Sequence, residues 1–225
     1  MKNKNVFVLQ SSGTVRVVNH SRFIKGEELL IYIVMGPSGS GKTLVGEYLK
    51  EKGMKELVSH TTRLPRPGEV QGVSYHFVDE VTFQQTKKVE ASAYAGNWYG
   101  VSEKEVEDKT KLGDVFAVIE IHGALAFKKL YGEKVKIFYI ASSPRDLRKR
   151  MAHRGDTKES IRKRMVIYRK NGEAFQDRHA DAVLMNKSSK KRLFCQVEYY
   201  LAAAKNRKKP KTSGSICSNR RILFL

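Results

Sequence analysis

Apolar residues recur along the chain in two patterns, short continuous runs and helical spacing, and the two patterns alternate. Continuous runs are typical of buried strands, whereas apolar positions three and four residues apart favour amphipathic helices. The predicted strands cover 29–35, 115–121, 135–141 and 182–185, and the predicted helices cover 43–52, 124–130 and about 189–204. This order favours βαβ units, so we predict an α/β fold with a central parallel sheet.

Two of the helix starts carry capping patterns. Ser102 followed by Glu105 forms a capping box, in which the hydroxyl accepts a backbone N–H of the first turn. Ser143, Pro144 and Asp146 place a capping hydroxyl, a first-turn proline and an early acid in order. We therefore expect helices to begin at 103 and at 144.

The pattern divides the chain into a core, an insert and two ends. Short β-like segments with turn residues replace the alternation at 59–101, which predicts a small insert hung on the parallel sheet. Residues 29–58 and 102–204 form the predicted core. Residues 1–28 are a predicted extension in which 6–9 and 15–18 could pair as a hairpin, and the basic residues 205–225 have the composition of a disordered tail.

Charge and composition narrow the class of protein. The net charge is +20, and the part from Lys187 onward holds eleven Lys or Arg against Glu198 alone. This excess leaves a nucleic-acid partner and an anionic substrate both open. No apolar stretch approaches the roughly 20 residues that cross a bilayer, so we expect a cytoplasmic protein without a membrane contact. The two cysteines, Cys195 and Cys217, are expected to be free thiols.

The segment 36–43, GPSGSGKT, fits the phosphate-loop pattern GxxxxGK(S/T) in full. It lies between a predicted strand and a predicted helix, which is the context that the motif requires. Backbone N–H groups of such a loop surround phosphates at the positive end of the helix dipole. Lys42 would reach the β- and γ-phosphates, and Thr43 would be a ligand of Mg²⁺. The predicted triphosphate-binding residues are Gly36, Ser38, Gly39, Ser40, Gly41, Lys42 and Thr43.

Three further segments resemble the guanylate kinase family. SHTTRLPRPGE at 59–69, followed by YHF at 75–77, is similar to its nucleoside-monophosphate signature, and GNWYG at 96–100 is similar to its GNYYG segment. With the phosphate loop, a basic lid stretch and Asn186, the likeness spans about residues 30–200. It implies a P-loop NTPase three-layer fold with a small mixed α/β GMP-binding insert and a helical lid at about 145–166.

The resemblance also implies a reaction, the transfer of the γ-phosphoryl group of ATP to GMP and to dGMP in purine nucleotide metabolism, with Mg²⁺ bound to ATP. The implied catalytic residues are Lys42 and two arginines that clamp the transition state, Arg150 and Arg164. Arg154 would lie near the ATP phosphates and Asn186 beside adenine. The implied GMP-binding residues are Ser59, Arg63, Arg66, Tyr75, Glu90, Tyr99, Gly100 and Glu120.

The chemistry of these side chains agrees with the implied roles. Arg63 and Arg66 offer planar forks that suit the α-phosphate of a monophosphate. Glu90, six residues before Gly96, is an acceptor when ionised, so it pairs with the N1–H and the exocyclic amine of guanine. Adenine presents an acceptor at N1, so this carboxylate would disfavour it.

Two positions depart from the family pattern. Val118 stands where relatives keep an aspartate near the metal and phosphates, and Val101 stands where they usually have a hydroxyl. The first departure predicts a slowed transfer step, and it also favours a catalytically weakened binding module of the same fold. A protein that binds nucleic acid through its basic tail is the other alternative. Monomer and homodimer both stay open.

Overall fold

The structure is a computed structural model, and it describes residues 7–9, 15–17, 29–94, 96–187 and 189–205. Its largest sheet has five parallel strands in the order β11-β10-β3-β9-β4. These strands are β3 (Ile31–Met35), β4 (Lys55–Glu56), β9 (Val115–Val118), β10 (Val135–Ala141) and β11 (Ala182–Met185). The predicted α/β class with a central parallel sheet is confirmed.

Helices cover both faces of this sheet because its strands are apolar on both sides. One face packs against α1 (Lys42–Glu51) and α7 (Lys190–Lys205) through a cluster that includes Val45 and Leu193. The other face packs against α3 (Glu103–Thr110) and α4 (Ile121–Tyr131) through a cluster that includes Phe127. Helix, sheet and helix thus form the three layers that the sequence predicts.

A second sheet of four strands lies within the segment of the predicted insert. Its order is β6-β5-β8-β7, with one parallel and two antiparallel pairs. The strands are β5 (His60–Thr61), β6 (His76–Phe77), β7 (Lys88–Tyr94) and β8 (Asn97–Ser102), and the short helix α2 (Glu80–Gln85) precedes β7. The sheet is mixed, and the exact bounds 59–101 stay a prediction.

Two helices follow β10 and pack on each other. They are α5 (Pro144–His153) and α6 (Lys158–Lys170), joined through Leu147, Met151 and Met165. A 3-10 turn (Gly132–Lys134) precedes β10, and a 3-10 segment (Glu173–His179) connects α6 to β11. The lid predicted at about 145–166 falls within this helix pair, although nothing in the structure tests that it moves.

Both predicted hydroxyl caps form, although the Glu105 carboxylate of the predicted capping box accepts the backbone N–H of Val58 at 2.8 Å. The Ser102 hydroxyl accepts the backbone N–H of Glu105 at 3.1 Å, and the Ser143 hydroxyl accepts that of Asp146 at 3.1 Å. Each hydroxyl therefore satisfies one of the N–H groups that a helix start leaves without an intrahelical partner.

One predicted boundary is wrong. The apolar run 115–121 leaves the strand after Val118, and Ile121 already begins α4, three residues before the predicted helix start at 124. Glu120 is the extended N-cap residue between them. Ile119 and Ile121 join the same apolar cluster as the strand, so the change from strand to helix leaves no mark in the run of apolar residues.

The two chain ends are only partly described. β1 (Phe7–Leu9) and β2 (Val15–Val17) pair antiparallel, as the predicted hairpin requires. The rest of the predicted extension 1–28 and the predicted tail, apart from Lys205, lie outside the described residues. None of the helices in the described part of the chain is long and apolar enough to span a bilayer.

Candidate active site

The loop 36–41 joins β3 to α1 at the carboxyl end of the central sheet. Its glycines carry backbone angles and close contacts that a side chain would disturb. Gly36 has a φ of 145°, and a Cβ there would lie 2.7 Å from the carbonyl oxygen of Ile140. Gly41 has a φ of 108°, and a Cβ there would lie 2.6 Å from the Asn186 amide nitrogen. The loop can therefore keep this curvature only with glycine at these positions.

Lys42 curls back over the loop. Its Nζ donates to the carbonyl oxygens of Gly36, at 2.5 Å, and Pro37, at 3.3 Å. Burial lowers the pKa of the Lys42 ammonium group, while the negative charges of Glu120 and Glu173 act in the opposite direction. A partly buried cation held by backbone carbonyls would be stabilised by a polyphosphate, because the phosphate oxygens would add negative charge beside it.

Asn186 and Arg150 fix the loop from the side of β10 and β11. The Asn186 amide nitrogen donates to the carbonyl oxygen of Ser40 at 2.7 Å. The Arg150 guanidinium donates to the Ser142 hydroxyl at 2.8 Å and to the Asn186 carbonyl oxygen at 2.7 Å. A longer contact of 3.3 Å joins Arg150 to the Gly39 carbonyl oxygen. Arg150 thus braces the loop, and its predicted role as a clamp on the transferred group stays a prediction.

Of the other two lid arginines, Arg164 in α6 contacts the loop, and Arg154 at the end of α5 pairs with Asp156. Arg164 donates from Nη1 to the Ser38 hydroxyl at 2.9 Å. Arg154 forms two hydrogen bonds with Asp156, of 2.9 Å from Nε and 2.6 Å from Nη2. The positive charges of Arg154 and Arg164 add to the lowering of the Lys42 pKa.

Glu90 lies in β7 and is buried, with 8% of its surface exposed. Burial raises the pKa of its carboxyl to about 7, and a hydrogen bond from the backbone N–H of Val101 opposes the rise. A Cβ on Gly123, in the first turn of α4, would lie 3.0 Å from the Glu90 carboxyl. Gly100 is as closely packed, because a Cβ there would lie 2.5 Å from the Glu90 carbonyl oxygen. Both glycines leave room for Glu90.

The predicted phosphate-binding side chains of the insert also meet. The Arg63 guanidinium lies 5.3 Å from the ring centre of Tyr75 and interacts with Tyr99. The two tyrosine rings are 6.0 Å apart at 68°. Glu69 accepts from Arg63 Nη2 at 2.8 Å and from the Arg66 backbone N–H at 2.7 Å. Glu69 therefore pairs with the guanidinium group of Arg63, which is the group predicted to bind a phosphate.

Two predicted residues are placed less distinctly. Ser59 is half-buried between β4 and β5, and its backbone carbonyl accepts the N–H of His76 at 2.9 Å. Glu120 is exposed at the N-terminus of α4, with its charge acting on Lys42 and Glu173. It lies on the loop side rather than within the arginine and tyrosine group of the insert, so a contact with GMP stays a prediction.

The site thus combines a glycine-rich loop contacted by Arg150 and Arg164, a buried carboxyl in the second sheet, and an arginine paired with Glu69 in the insert. A family model for guanylate kinase matches residues 29–202. The chain belongs to the guanylate kinase family. Its phosphate loop, insert and lid helices all fall within the matched range.

Individual guanylate kinases show the same likeness. The enzyme of Shewanella denitrificans is 40% identical over 60% of this chain and 70% of its own length. That of Thermus thermophilus is 38% identical over 63% of this chain and 67% of its own. The crystal structure of guanylate kinase from Anaplasma phagocytophilum has 28% identity and a TM-score of 0.60, covering 80% of this chain and 88% of that chain. The predicted family and P-loop fold are confirmed.

Two acids of this guanylate kinase family member were missed by the sequence analysis. Asp156 lies among the lid arginines. Glu173 is half-buried, and burial and the charge of Glu120 raise the pKa of its carboxyl while Lys42 opposes the rise. Its backbone carbonyl accepts the Tyr139 hydroxyl at 2.7 Å. Neither acid belongs to a motif that we recognised, so only their positions in space connect them with the loop.

Proposed function

We propose that this chain transfers the γ-phosphoryl group of ATP to GMP, and also to dGMP, with ADP and GDP as the products of the GMP reaction. Membership of the guanylate kinase family supports the proposal. One observation carries it furthest: a phosphate loop with its lysine intact, contacted by Arg164, lies in one molecule with a separate buried carboxyl, that of Glu90. Such a site has a place for a triphosphate and another for a nucleobase.

Glu90 reads the guanine base in this proposal. Its carboxyl is buried, and the ionised form gains most from a partner that donates two hydrogen bonds side by side. The N1–H and exocyclic amine of guanine offer that pair, whereas adenine would set its N1 lone pair against the charge. Ser59 contacts the guanine carbonyl oxygen, and Gly100 keeps the strand close enough for the base to enter.

The insert holds the GMP phosphate through Arg63, Arg66, Tyr75 and Tyr99. In the structure Arg63 is paired with Glu69 and stacked on an aromatic ring, so its fork is ordered before any phosphate arrives. A phosphate that carries nearly two charges competes well with one carboxylate for such a fork. The Arg63 side chain therefore needs little rearrangement to bind the substrate.

The triphosphate binds on the loop 36–43, with Asn186 beside adenine. Lys42 exchanges its contacts with loop carbonyls for the β- and γ-phosphates, and Arg154 and Arg164 balance the charge of the transferred group. Phosphoryl transfer needs positioning and positive charge more than covalent help from the protein. Because Arg150 holds the loop through Ser142 and Asn186, we assign it to the support of this geometry until it is freed on closure.

Mg²⁺ fits the site through Thr43. This residue lies exposed in the first turn of α1, where a hydroxyl oxygen can serve as a ligand of a hard cation. Among the described residues no three His, Cys, Asp or Glu side chains form a metal-binding group, so ATP oxygens and water would supply the other ligands. When bound, the ion neutralises charge on the β- and γ-phosphates.

A coupled assay of ADP release tests the proposal. The enzyme is supplied with ATP, Mg²⁺ and one of GMP, dGMP, AMP, CMP or UMP, and Lys42→Ala serves as the matched control. We expect turnover with GMP and dGMP only, and its loss in the control. Turnover with GMP no higher than that of Lys42→Ala would refute the proposed kinase activity.

The alternative of a non-catalytic module of the same fold is not favoured. Its strongest support was Val118, but Lys42 and Thr43 are intact and the loop is curved for phosphate. A module of that kind would bind GMP without consuming ATP. The same assay, combined with a titration of GMP binding, separates the two.

The setting of the enzyme is a further part of the proposal. We place it in the cytoplasm, in purine nucleotide metabolism, as a monomer or homodimer. Residues 206–225 hold six Lys or Arg and no Asp or Glu, so weak contact of this tail with nucleic acid is a second proposed activity. Binding of single-stranded RNA that survives deletion of 206–225 would exclude the tail as the cause.

A further inference from the structure

One carboxylate, Asp156, lies among arginines that belong to different parts of the molecule. It accepts both hydrogen bonds of Arg154, and its Oδ2 lies 3.8 Å from the Nε of Arg164. Hydrogen bonds from Arg154 lower the pKa of Asp156, and the positive charges of Arg154, Arg164 and Arg66 add to this effect. Arg66 belongs to the insert, so Asp156 connects the lid helices electrostatically with the GMP-binding side.

The edges of the two guanidinium groups decide what Asp156 can do. On Arg154 it takes Nε and Nη2 and leaves Nη1 outside the pair. On Arg164 it faces Nε, while Nη1 donates to Ser38 of the phosphate loop. Asp156 thus faces an edge of Arg164 other than the one that contacts the loop, and on both arginines it leaves N–H groups for phosphate oxygens.

Repulsion among the cations of this region requires an acid that keeps the two arginines in place. Arg154, Arg164 and Lys42 are cations near one another, and each of the two arginine charges acts on Lys42. Without substrate, repulsion between them would turn the long side chains toward solvent. A single acid in a half-buried position offsets this repulsion and selects one geometry for both guanidinium groups, with 18% of its side chain exposed.

We propose that Asp156 is a positioning residue for phosphoryl transfer, which orients Arg154 and Arg164 toward the phosphate loop before the triphosphate binds. This inference rests on the proposed transfer of a phosphoryl group from ATP to GMP. Asp156 does not touch the reacting atoms itself; it acts through the two arginines. Its removal should therefore impair the transfer step more than the binding of GMP.

Asp156→Asn is the decisive variant, because asparagine keeps the size of the side chain and tolerates the same backbone conformation. Glu159→Gln is the matched control: it removes an acid from the same helix pair, and Glu159 faces solvent and contacts Lys163. We expect Asp156→Asn to lower kcat roughly tenfold, as displaced catalytic groups do, with the KM for GMP changed less than about twofold. Glu159→Gln should leave both constants within about twofold.

A double-mutant cycle with Arg154→Gln separates positioning from a structural role. If Asp156 acts through Arg154, replacing it in the Arg154→Gln background should lower kcat less than about threefold, because the effects of interacting residues are not additive. The inference would be overturned if Asp156→Asn lowered kcat equally with and without Arg154→Gln, or if Asp156→Asn alone left kcat unchanged. Asp156→Ser is the second variant that removes the carboxylate. Melting temperatures for all proteins separate a lower kcat from a loss of folding. If the unmutated enzyme shows no GMP-dependent turnover, the proposed function fails instead.

Discussion

At the scale of single residues, Glu90 shows the cost and the use of a buried acid. A pKa of about 7 in place of the ordinary 4.5 corresponds to about 3 kcal/mol against ionisation in the folded protein. In the proposed function, guanine would offset this cost because it would donate to the charged form, whereas the neutral form is favoured without it. The proposed selectivity for the base and the raised pKa would then have one cause, the burial of Glu90.

The pKa of Glu90 predicts a pH dependence with a definite sign. Below about 7 the carboxyl of the empty enzyme is mostly protonated and cannot accept from both donors of guanine. Raising the pH from about 6 to about 8 should therefore lower the KM for GMP about tenfold. Glu90→Gln should raise the KM at pH 8 about 100-fold and lose this pH response.

Steady-state kinetics at several pH values checks the prediction. The GMP phosphate itself titrates near pH 6, so Glu90→Gln is also the control for that contribution. The same pH response in both enzymes would show that Glu90 is not the titrating group.

Val118 is the residue whose replacement should raise activity. It ends β9 beside Val34, and its Cγ2 would lie 3.4 Å from a Cβ placed on Gly46 of α1. An aspartate here would bring a carboxylate toward the start of α1 and the metal side of the triphosphate. We expect Val118→Asp to raise kcat about tenfold and to cost about 1 to 3 kcal/mol of stability, because the site is half-buried.

The matched control is Val118→Asn, which has the same size without the charge. Single-turnover measurements with saturating ATP and GMP isolate the transfer step. A rate for Val118→Asp that equals those of the parent and of Val118→Asn would show that Val118 does not limit the reaction.

At the scale of elements, the start of α5 determines how well the lid is ordered. The Ser143 hydroxyl caps this helix, and the helix carries Arg150, which braces the phosphate loop. A lost cap frays the first turn, while Leu147 and Met151 keep the rest of the helix packed on α6. The lid and the loop are therefore coupled through one short helix.

Ser143→Ala should lower the free energy of unfolding by about 1 kcal/mol, the usual value of an N-cap hydroxyl. Hydrogen exchange should accelerate first at the N–H of Asp146, which loses its partner. Chemical denaturation and exchange measurements check both effects. Ser160→Ala is the comparison, because Ser160 takes part in the Thr157 cap of α6 through its backbone N–H, which alanine keeps, and not through its hydroxyl. An equal loss there would contradict the capping argument.

At the scale of the whole molecule, the folded core and the predicted ends are separable. The family match spans 29–202, and the two main apolar clusters of the described chain draw on residues between Leu30 and Ala204. The protein 29–205 should therefore fold and retain kcat within about twofold, since it keeps both of these apolar clusters.

Circular dichroism, thermal unfolding and the GMP assay on the protein 29–205 test this separation. The full chain is the reference, and the variant that lacks only 206–225 distinguishes the contributions of the two ends. A protein 29–205 that does not fold would show that the extension or the tail completes the core.

The sequence by itself determined those features that depend on local order. Gly36 to Thr43 predicted the phosphate loop, the hydroxyls of Ser102 and Ser143 predicted two helix starts, and apolar runs predicted the parallel strands. Steric limits at glycine and unpaired N–H groups at helix ends act between residues close in the chain. A strand buried on both faces leaves a continuous apolar run within its own segment, although its partners lie far away in the chain. Signals of this kind can be read directly.

Tertiary structure alone decided the features that depend on residues far apart. Strand and helix share the apolar run around Ile119, so only the packing shows where one ends. The buried state of Glu90 depends on the first turn of α4, and Arg150 donates to the Ser142 hydroxyl and the Asn186 carbonyl oxygen. Asp156 gains its importance from arginines of the lid helices and the insert. Electrostatic energy and desolvation depend on distance in space, and distance in the chain does not reveal it.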